Sequence, residues 1–454
     1  MKNNFLLLSA MLLWGAGTAQ KDSVMIRKIY DEALQNGQCH QNLQVLCKQI
    51  GHRLSGSPAA DKAILWGRDL LQSYGPDKAW LHPVMVPVWQ RGKSETGYVI
   101  GQNGERTRTR IAALGGSVGC PGGITGELIE VKSFAQLDSL GEQGIRDKIV
   151  FFNRPMNPLH INTGAAYGGA VDQRGDGAAR AARYGARAVI VRSMTLAVDT
   201  FPHTGGTWYA DDFPKIPAAA ISTVDANALS VRMSKDKNLR YELTLNCRDM
   251  PDKEQANVIA EWRGSVNPER IITIGGHLDS WDIGEGAHDD GAGIVHSIET
   301  LRILKAIGYK PRNTIRIVLF INEENGNRGG ITYADEAKKK GEYHFAAIES
   351  DAGGFVPRGF RLDGTDAQLV WLKDQAPLFD PYDLHYFRGG GSGVDIGPLK
   401  DGRVALIGLV PDSQRYFDYH HSDQDTWENV NKRELELGAA SVAALVYLID
   451  NAEW

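Results

Sequence analysis

The stretch IITIGGHLDSWDIGEGAHDDGAG, residues 271–293, decides the fold. A β-branched apolar run ends in Gly275 and Gly276, and His277 and Asp279 follow at once. Asp289 and Asp290 come next in the loop, and Gly291-Ala292-Gly293 opens a helical pattern. Strand, polar loop and helix in that order put an imidazole and several carboxylates at the C-terminal end of a strand, where open α/β sheets bind their ligands. Imidazole nitrogen and carboxylate oxygen suit borderline and hard divalent metals, so the stretch points to a metal site.

The pattern repeats downstream. Residues 314–321 run into Asn322-Glu323-Glu324, and residues 345–348 run into Glu349-Ser350-Asp351. The apolar run 404–410 precedes YFDYHHSDQDT, which carries His420, His421, Asp423 and Asp425. Helical periodicity covers 291–307, with Ile294, Ile298, Leu301 and Leu304 on one face, and also 434–448. This alternation predicts an α/β fold with a mixed, largely parallel central sheet flanked by helices. A single Asp after a strand is an ordinary turn residue. Four successive strand ends bearing His and carboxylate are a different matter, and predict a metal centre.

Upstream, 23–51 and 63–71 have helical periodicity on either side of HRLSGSP, residues 52–58, and 80–89 alternates as a strand does. From about Cys120 the texture changes to glycine and short strands, at 125–131, 148–152, 187–191, 216–221 and 239–245, with a helix at 177–185. The chain therefore divides into 20–120, an inserted module at 121–250, and a core at 251–454. The insert holds no nucleophile–base pair or phosphate loop, and reads as a lid or assembly domain.

The 454 residues suffice for two to three domains at about 150 residues each. A net charge of -5 gives no bias towards nucleic acid or anionic membranes. Lys2, the apolar run 5–14 and Gly17-Thr18-Ala19 form a secretory leader, 1–19, cut after Ala19. Its apolar core is too short to span a bilayer and no later run is long enough, so a secreted or periplasmic protein without a membrane span is expected. In that compartment Cys39, Cys47, Cys120 and Cys247 are free to pair. Cys39–Cys47 and Cys120–Cys247 are the expected bridges, the second closing the neck of the insert.

GGHLDSWDIGEGAHDDGAG, EENG, ESDAGGF and HHSDQDT, in that order and spacing, resemble the co-catalytic zinc aminopeptidase family. HRLSGSP fits as well, and the insert resembles a protease-associated domain. The resemblance implies a zinc-exopeptidase (phosphorylase/hydrolase-like) fold and two Zn2+ ions per chain. It makes His277 and Asp351 ligands of one ion, Glu324 and His421 ligands of the other, and Asp289 the bridge. It makes Glu323 the general base and Asp279 the carboxylate that orients the His277 ring. Asp290 in place of Asp289, and His420 in place of His421, stay open on the residues alone, with the family's pattern favouring Asp289 and His421.

Asp423 and Asp425 read as turn carboxylates or supports behind the ligands. Arg388, Gly391 and Ser392, in a glycine-rich stretch, are expected on the rim that grips a substrate terminus, and His288 is a loop histidine with a possible substrate contact. The resemblance implies an exopeptidase acting on short peptides or dipeptides, and a homodimer as a partner state. A glutaminyl cyclase-like enzyme with one zinc, or a non-catalytic binding protein of the same fold, are the alternatives. The complete ligand set and Glu323 weigh against both.

Overall fold

The computed structural model describes the backbone of residues 3–454 and the side chains from residue 20 onward, so the expected leader, 1–19, lies outside the fully described residues. Among the described residues no helix is long and apolar enough to cross a membrane.

Eight strands form the central sheet: β1 (Lys78–Gln90), β2 (Arg248–Trp262), β3 (Asn267–His277), β4 (Asn313–Phe320), β5 (Tyr343–Glu349), β6 (Pro357–Asp363), β7 (Tyr386–Gly389) and β8 (Ala405–Pro411). Their order is β1-β2-β4-β3-β5-β8-β6-β7. The four middle strands, β4, β3, β5 and β8, are parallel neighbours, and the outer pairings β1/β2, β2/β4 and β6/β8 are antiparallel. Four parallel neighbours bring four strand ends to one edge, and this is what builds the site.

Period-2 alternation explains why these runs are apolar without a polar face. Ile315, Ile317 and Leu319 of β4 point into a cluster with the helices Ala292–Ala306, Lys432–Asp450 and Pro58–Ser73. Val318 and Phe320 point the other way, onto Tyr333, Ala334 and Ala337 of the helix Arg328–Lys340. Both faces are covered, as parallel strands require. Helix Ala292–Ala306 differs from its expected one-faced amphipathicity: His296, Glu299 and Thr300 are buried with the apolar positions. It lies between the sheet and the helices Asn3–Asn36 and Lys432–Asp450, which leaves it no solvent face.

A second eight-stranded sheet is built from strands between Glu95 and Leu245. Strands Glu95–Ile100, Arg106–Thr109 and Ile111–Ala113 belong to it, so the boundary expected at 121 falls inside this sheet. Those strands are only three to six residues long, and Arg106–Thr109 is polar throughout, so they gave little alternation to read. β1 and β2 pair along their length, from Lys78↔Glu261 to Gln90↔Arg248, and form the neck.

The expected disulfides are absent: all four cysteines are buried free thiols. Cys39 and Cys47 lie eight residues apart along continuous helix (Cys39–Val45, then Leu46–Ile50). At 1.5 Å per residue that is about 12 Å, beyond the roughly 7 Å a disulfide spans. The Cys39 thiol donates to the Val295 carbonyl, and that of Cys120 to the Leu243 carbonyl.

Candidate metal centre

His277 is the last residue of β3, Glu323 and Glu324 follow β4, Asp351 follows β5, and His421 follows β8 by way of the short helix Tyr416–Tyr419. The loop of Asp289 completes the group. Its carboxylate stands between the histidines of two strand ends: Oδ1 is 3.3 Å from His277 Nε2, and Oδ2 is 3.1 Å from His421 Nε2. Asp351 Oδ1 lies 3.6 Å from His277 Nε2, and Glu324 Oε2 lies 3.2 Å from His421 Nε2. Glu323 Oε2 is 4.0 Å from His277 Nε2.

The two open choices differ in geometry. Asp290 is occupied by main chain, since its oxygens accept the N–H groups of His277 at 3.0 Å and Gly293 at 2.9 Å. Asp289 is held at its own N–H by Asp425, which also accepts the His288 N–H, and its carboxylate is left facing the histidines. The ring of His420 stacks on that of His421 and lies 3.5 Å from Asp289 Oδ2, whereas His421 faces both Asp289 and Glu324. Asp423 is exposed.

Each histidine is turned by a main-chain carbonyl. His277 Nδ1 is 3.0 Å from the carbonyl oxygen of Asp279, and the carboxylate expected to orient that ring is 3.9 Å away. Asp279 Oδ1 accepts the Glu323 N–H instead, at 3.0 Å. His421 Nδ1 lies 3.2 Å from the Thr204 carbonyl, which belongs to the connection between strands Ala188–Arg192 and Ala218–Ile221 of the second sheet. A ring whose Nδ1–H donates to a carbonyl keeps its Nε2 lone pair free for a cation.

The charge balance calls for that cation. Asp289, Glu323, Glu324 and Asp351 face two histidines. Burial lowers His421, but Glu324 and Asp289 outweigh it and raise it to about 9. Burial raises Glu323 well above the carboxylate range, with His277 opposing and Asp351 and Glu324 adding to it. Asp351 Oδ1 is buried without a hydrogen-bond donor, and Asp289 Oδ2 meets only the imidazole nitrogens of His420 and His421. Buried carboxylate oxygens without donors are costly unless a cation meets them, so the donor set fits divalent metal.

Asp289, Glu323, Glu324, Asp351 and His421 line a cavity of about 420 Å³, whose other wall comes from residues between strands of the second sheet, among them Tyr167, Arg174 and Trp208. A second cavity, of about 480 Å³, meets it at Asp351 and Tyr416 and contains Arg361 and His385. The expected rim residues line neither. Arg388 lies over the ring of Tyr386, Gly391 is exposed, and Ser392 is buried with its carbonyl packed on Gly408. The stretch that follows wraps Glu349, which accepts the N–H groups of Val394 at 2.8 Å and Ile396 at 2.9 Å. Glycine at 393 is required there, because a Cβ would stand 2.2 Å from the Glu349 carboxyl carbon.

His288 is also corrected. It is fully buried, stacked on Phe355 at 4.2 Å, with Nδ1 accepting the Gly354 N–H and Nε2 facing the Asn429 carbonyl. Arg53, within HRLSGSP, is a support that sequence reading did not isolate: its buried guanidinium donates to the carbonyls of Leu278, Glu285 and Gly286 and so braces the metal-site loop.

Comparison with known proteins agrees with this picture. Residues 257–446 match the model of peptidase family M28. The chain is 35% identical to carboxypeptidase Q of Xenopus laevis over 415 residues, covering 91% of this chain and 86% of that protein. It is 34% identical to carboxypeptidase Q of Homo sapiens over 415 residues, 91% and 85% of the two chains. The crystal structure of a peptidase M28 precursor from Shewanella amazonensis superposes with a TM-score of 0.91 at 31% identity, covering 96% of this chain and 98% of that one. A zinc aminopeptidase from Bacillus subtilis has the same fold, with a TM-score of 0.65 at 20% identity over 90% and 94% of the two chains.

Proposed function

This chain belongs to peptidase family M28, and from that membership and the site geometry we propose that it is an exported exopeptidase of short peptides that holds two zinc ions. The observation that carries the proposal is Asp289, whose two oxygens face His277 and His421 separately. His277 and Asp351 would hold one ion, Glu324 and His421 the other, and Asp289 both. Zinc bound there would polarise the scissile carbonyl and acidify a water molecule.

The chain's own residues do the rest. Glu323, at a turn after β4, takes the proton of the attacking water and delivers it to the leaving amine. Asp279 fixes the main chain of Glu323 through Oδ1 and the ring of His277 through its carbonyl. The inserted residues, read as a protease-associated domain, wall the cavity opposite the ligands and keep bulk water from the reacting carbonyl. The leader at 1–19 supports export, and short peptides suit the size of the cavity.

The test is to strip the protein with a chelator, restore zinc in measured steps, and assay unblocked dipeptides. Activity that returns as the second equivalent binds supports the proposal. Zinc-replete protein without peptidase activity overturns it, and activity complete at one equivalent overturns the two-ion site.

A further inference from the structure

Arg174 is a buried cation that lacks a carboxylate partner. The residue is 9% exposed and lines the cavity with Asp289, Glu323 and Glu324. Its Nη1 donates one long hydrogen bond, to the Thr204 carbonyl at 3.4 Å, and lies 3.5 Å from His421 Nδ1, whose own N–H faces the same carbonyl; its Nε has no partner. The guanidinium lies over the ring of Tyr167, 5.5 Å from the centroid. Among the other buried arginines, Arg302 pairs with Glu32 and Glu299 and Arg316 with Glu261 and Glu342, whereas Arg53 donates to the carbonyls of Leu278, Glu285 and Gly286 and Arg192 to the side-chain oxygens of Asn153 and Asn227; Arg174 has only one long bond to a carbonyl. Leaving a cation buried without an anion is costly, and the guanidinium fork matches a carboxylate in two parallel hydrogen bonds.

We propose that Arg174 is the anchor for a substrate carboxylate, which makes the enzyme select peptides ending one residue after the scissile bond. This rests on the peptidase reading above. Distance fixes the position along the substrate. Arg174 touches the ring of His421, and that ring faces Glu324 and Asp289, so the anion it holds sits within one residue of the reacting carbonyl. In a peptide a carboxylate can reach that place as the α-carboxylate of the residue after the scissile bond or as an acidic side chain on either residue flanking it. The α-carboxylate is the closest of these to the scissile nitrogen, two bonds away. A long peptide continuing past that residue would leave Arg174 buried and unpaired, and would bind poorly.

The experiment compares Ala-Ala, Ala-Ala-amide and Ala-Asp-amide on wild type, Arg174→Met and Arg174→Lys at equal zinc content. For wild type the expected result is a kcat/KM preference of at least tenfold for Ala-Ala over both amides, carried mainly by KM. Arg174→Met should reduce that preference to near unity, and Arg174→Lys should keep part of it. Calorimetry supplies a readout free of turnover: L-alanine should bind wild type and fail to bind Arg174→Met, and L-alaninamide should bind neither. If Ala-Asp-amide is preferred over Ala-Ala-amide to the same degree, the side chain is the source and the terminus selection is overturned. Equal loss on all three substrates in Arg174→Met would assign Arg174 to the reacting carbonyl and overturn the proposal. If wild type cleaves Ala-Ala-amide as fast as Ala-Ala, this inference fails and the peptidase reading stands. If it cleaves none, both fall.

Discussion

Asp279 Oδ1 accepts the main-chain N–H of Glu323 at 3.0 Å. The bond joins the loop after β3 to the turn after β4, and it sets where the Glu323 carboxylate starts from. Asn at position 279 keeps an acceptor but loses the charge that strengthens the bond. Asp279→Asn should therefore lower kcat by about 10–100-fold, the range typical of groups that orient a metal site. Steady-state kinetics at saturating zinc checks this, and an unchanged kcat would show that the Glu323 turn needs no anionic acceptor.

The sheet and the edge that carries the candidate ligands were legible because one signal served both. Continuous apolar runs with polar termini mark parallel strands, and those same termini carry His277, Glu323, Asp351 and His421. An edge strand of the second sheet left no such mark: Arg106–Thr109 has the sequence RTRT, and its side-chain partners Tyr98, Glu242, Arg232 and Tyr241 are distant in sequence or carry no periodic signal. Supports were hidden for a different reason. The Thr204 carbonyl that faces His421 is a main-chain atom, and any residue supplies one. The glycine-rich stretch before Ile396 misled because glycine permits close approach to any group, and here that group is Glu349.

His288 packs; it does not line the cavity. His288→Ala removes a ring stacked on Phe355 and leaves the Gly354 N–H without its acceptor. A loss of about 2–4 kcal/mol in unfolding free energy is expected from the cavity and the lost bond together. Denaturant titration measures it, alongside KM for a dipeptide. A raised KM with unchanged stability would return His288 to the substrate.

Glu299 gives the fold a pH dependence of its own. Burial raises its carboxyl to about 7, with Arg302 opposing and Glu436 adding to the rise. A raised carboxyl means that the folded state holds the proton more tightly than the unfolded chain. Its stabilising contribution is present below the unfolded value of about 4.5 and is lost as pH rises towards 7. Thermal melts of wild type and Glu299→Gln between those values should diverge, wild type losing on the order of 1–3 kcal/mol relative to the variant. Parallel curves would mean that Glu299 does not change its protonation on folding in that range.

Glu323→Gln tests the proposed catalytic site most directly, because it removes the proposed base while retaining the size of the side chain and all five proposed ligand residues. Zinc content, counted by elemental analysis, should stay at the wild-type value. Dipeptide hydrolysis by the same preparation should fall by about 10²–10⁴-fold, the contribution of a positioned general base. Hydrolysis at the wild-type rate with zinc in place would contradict the account.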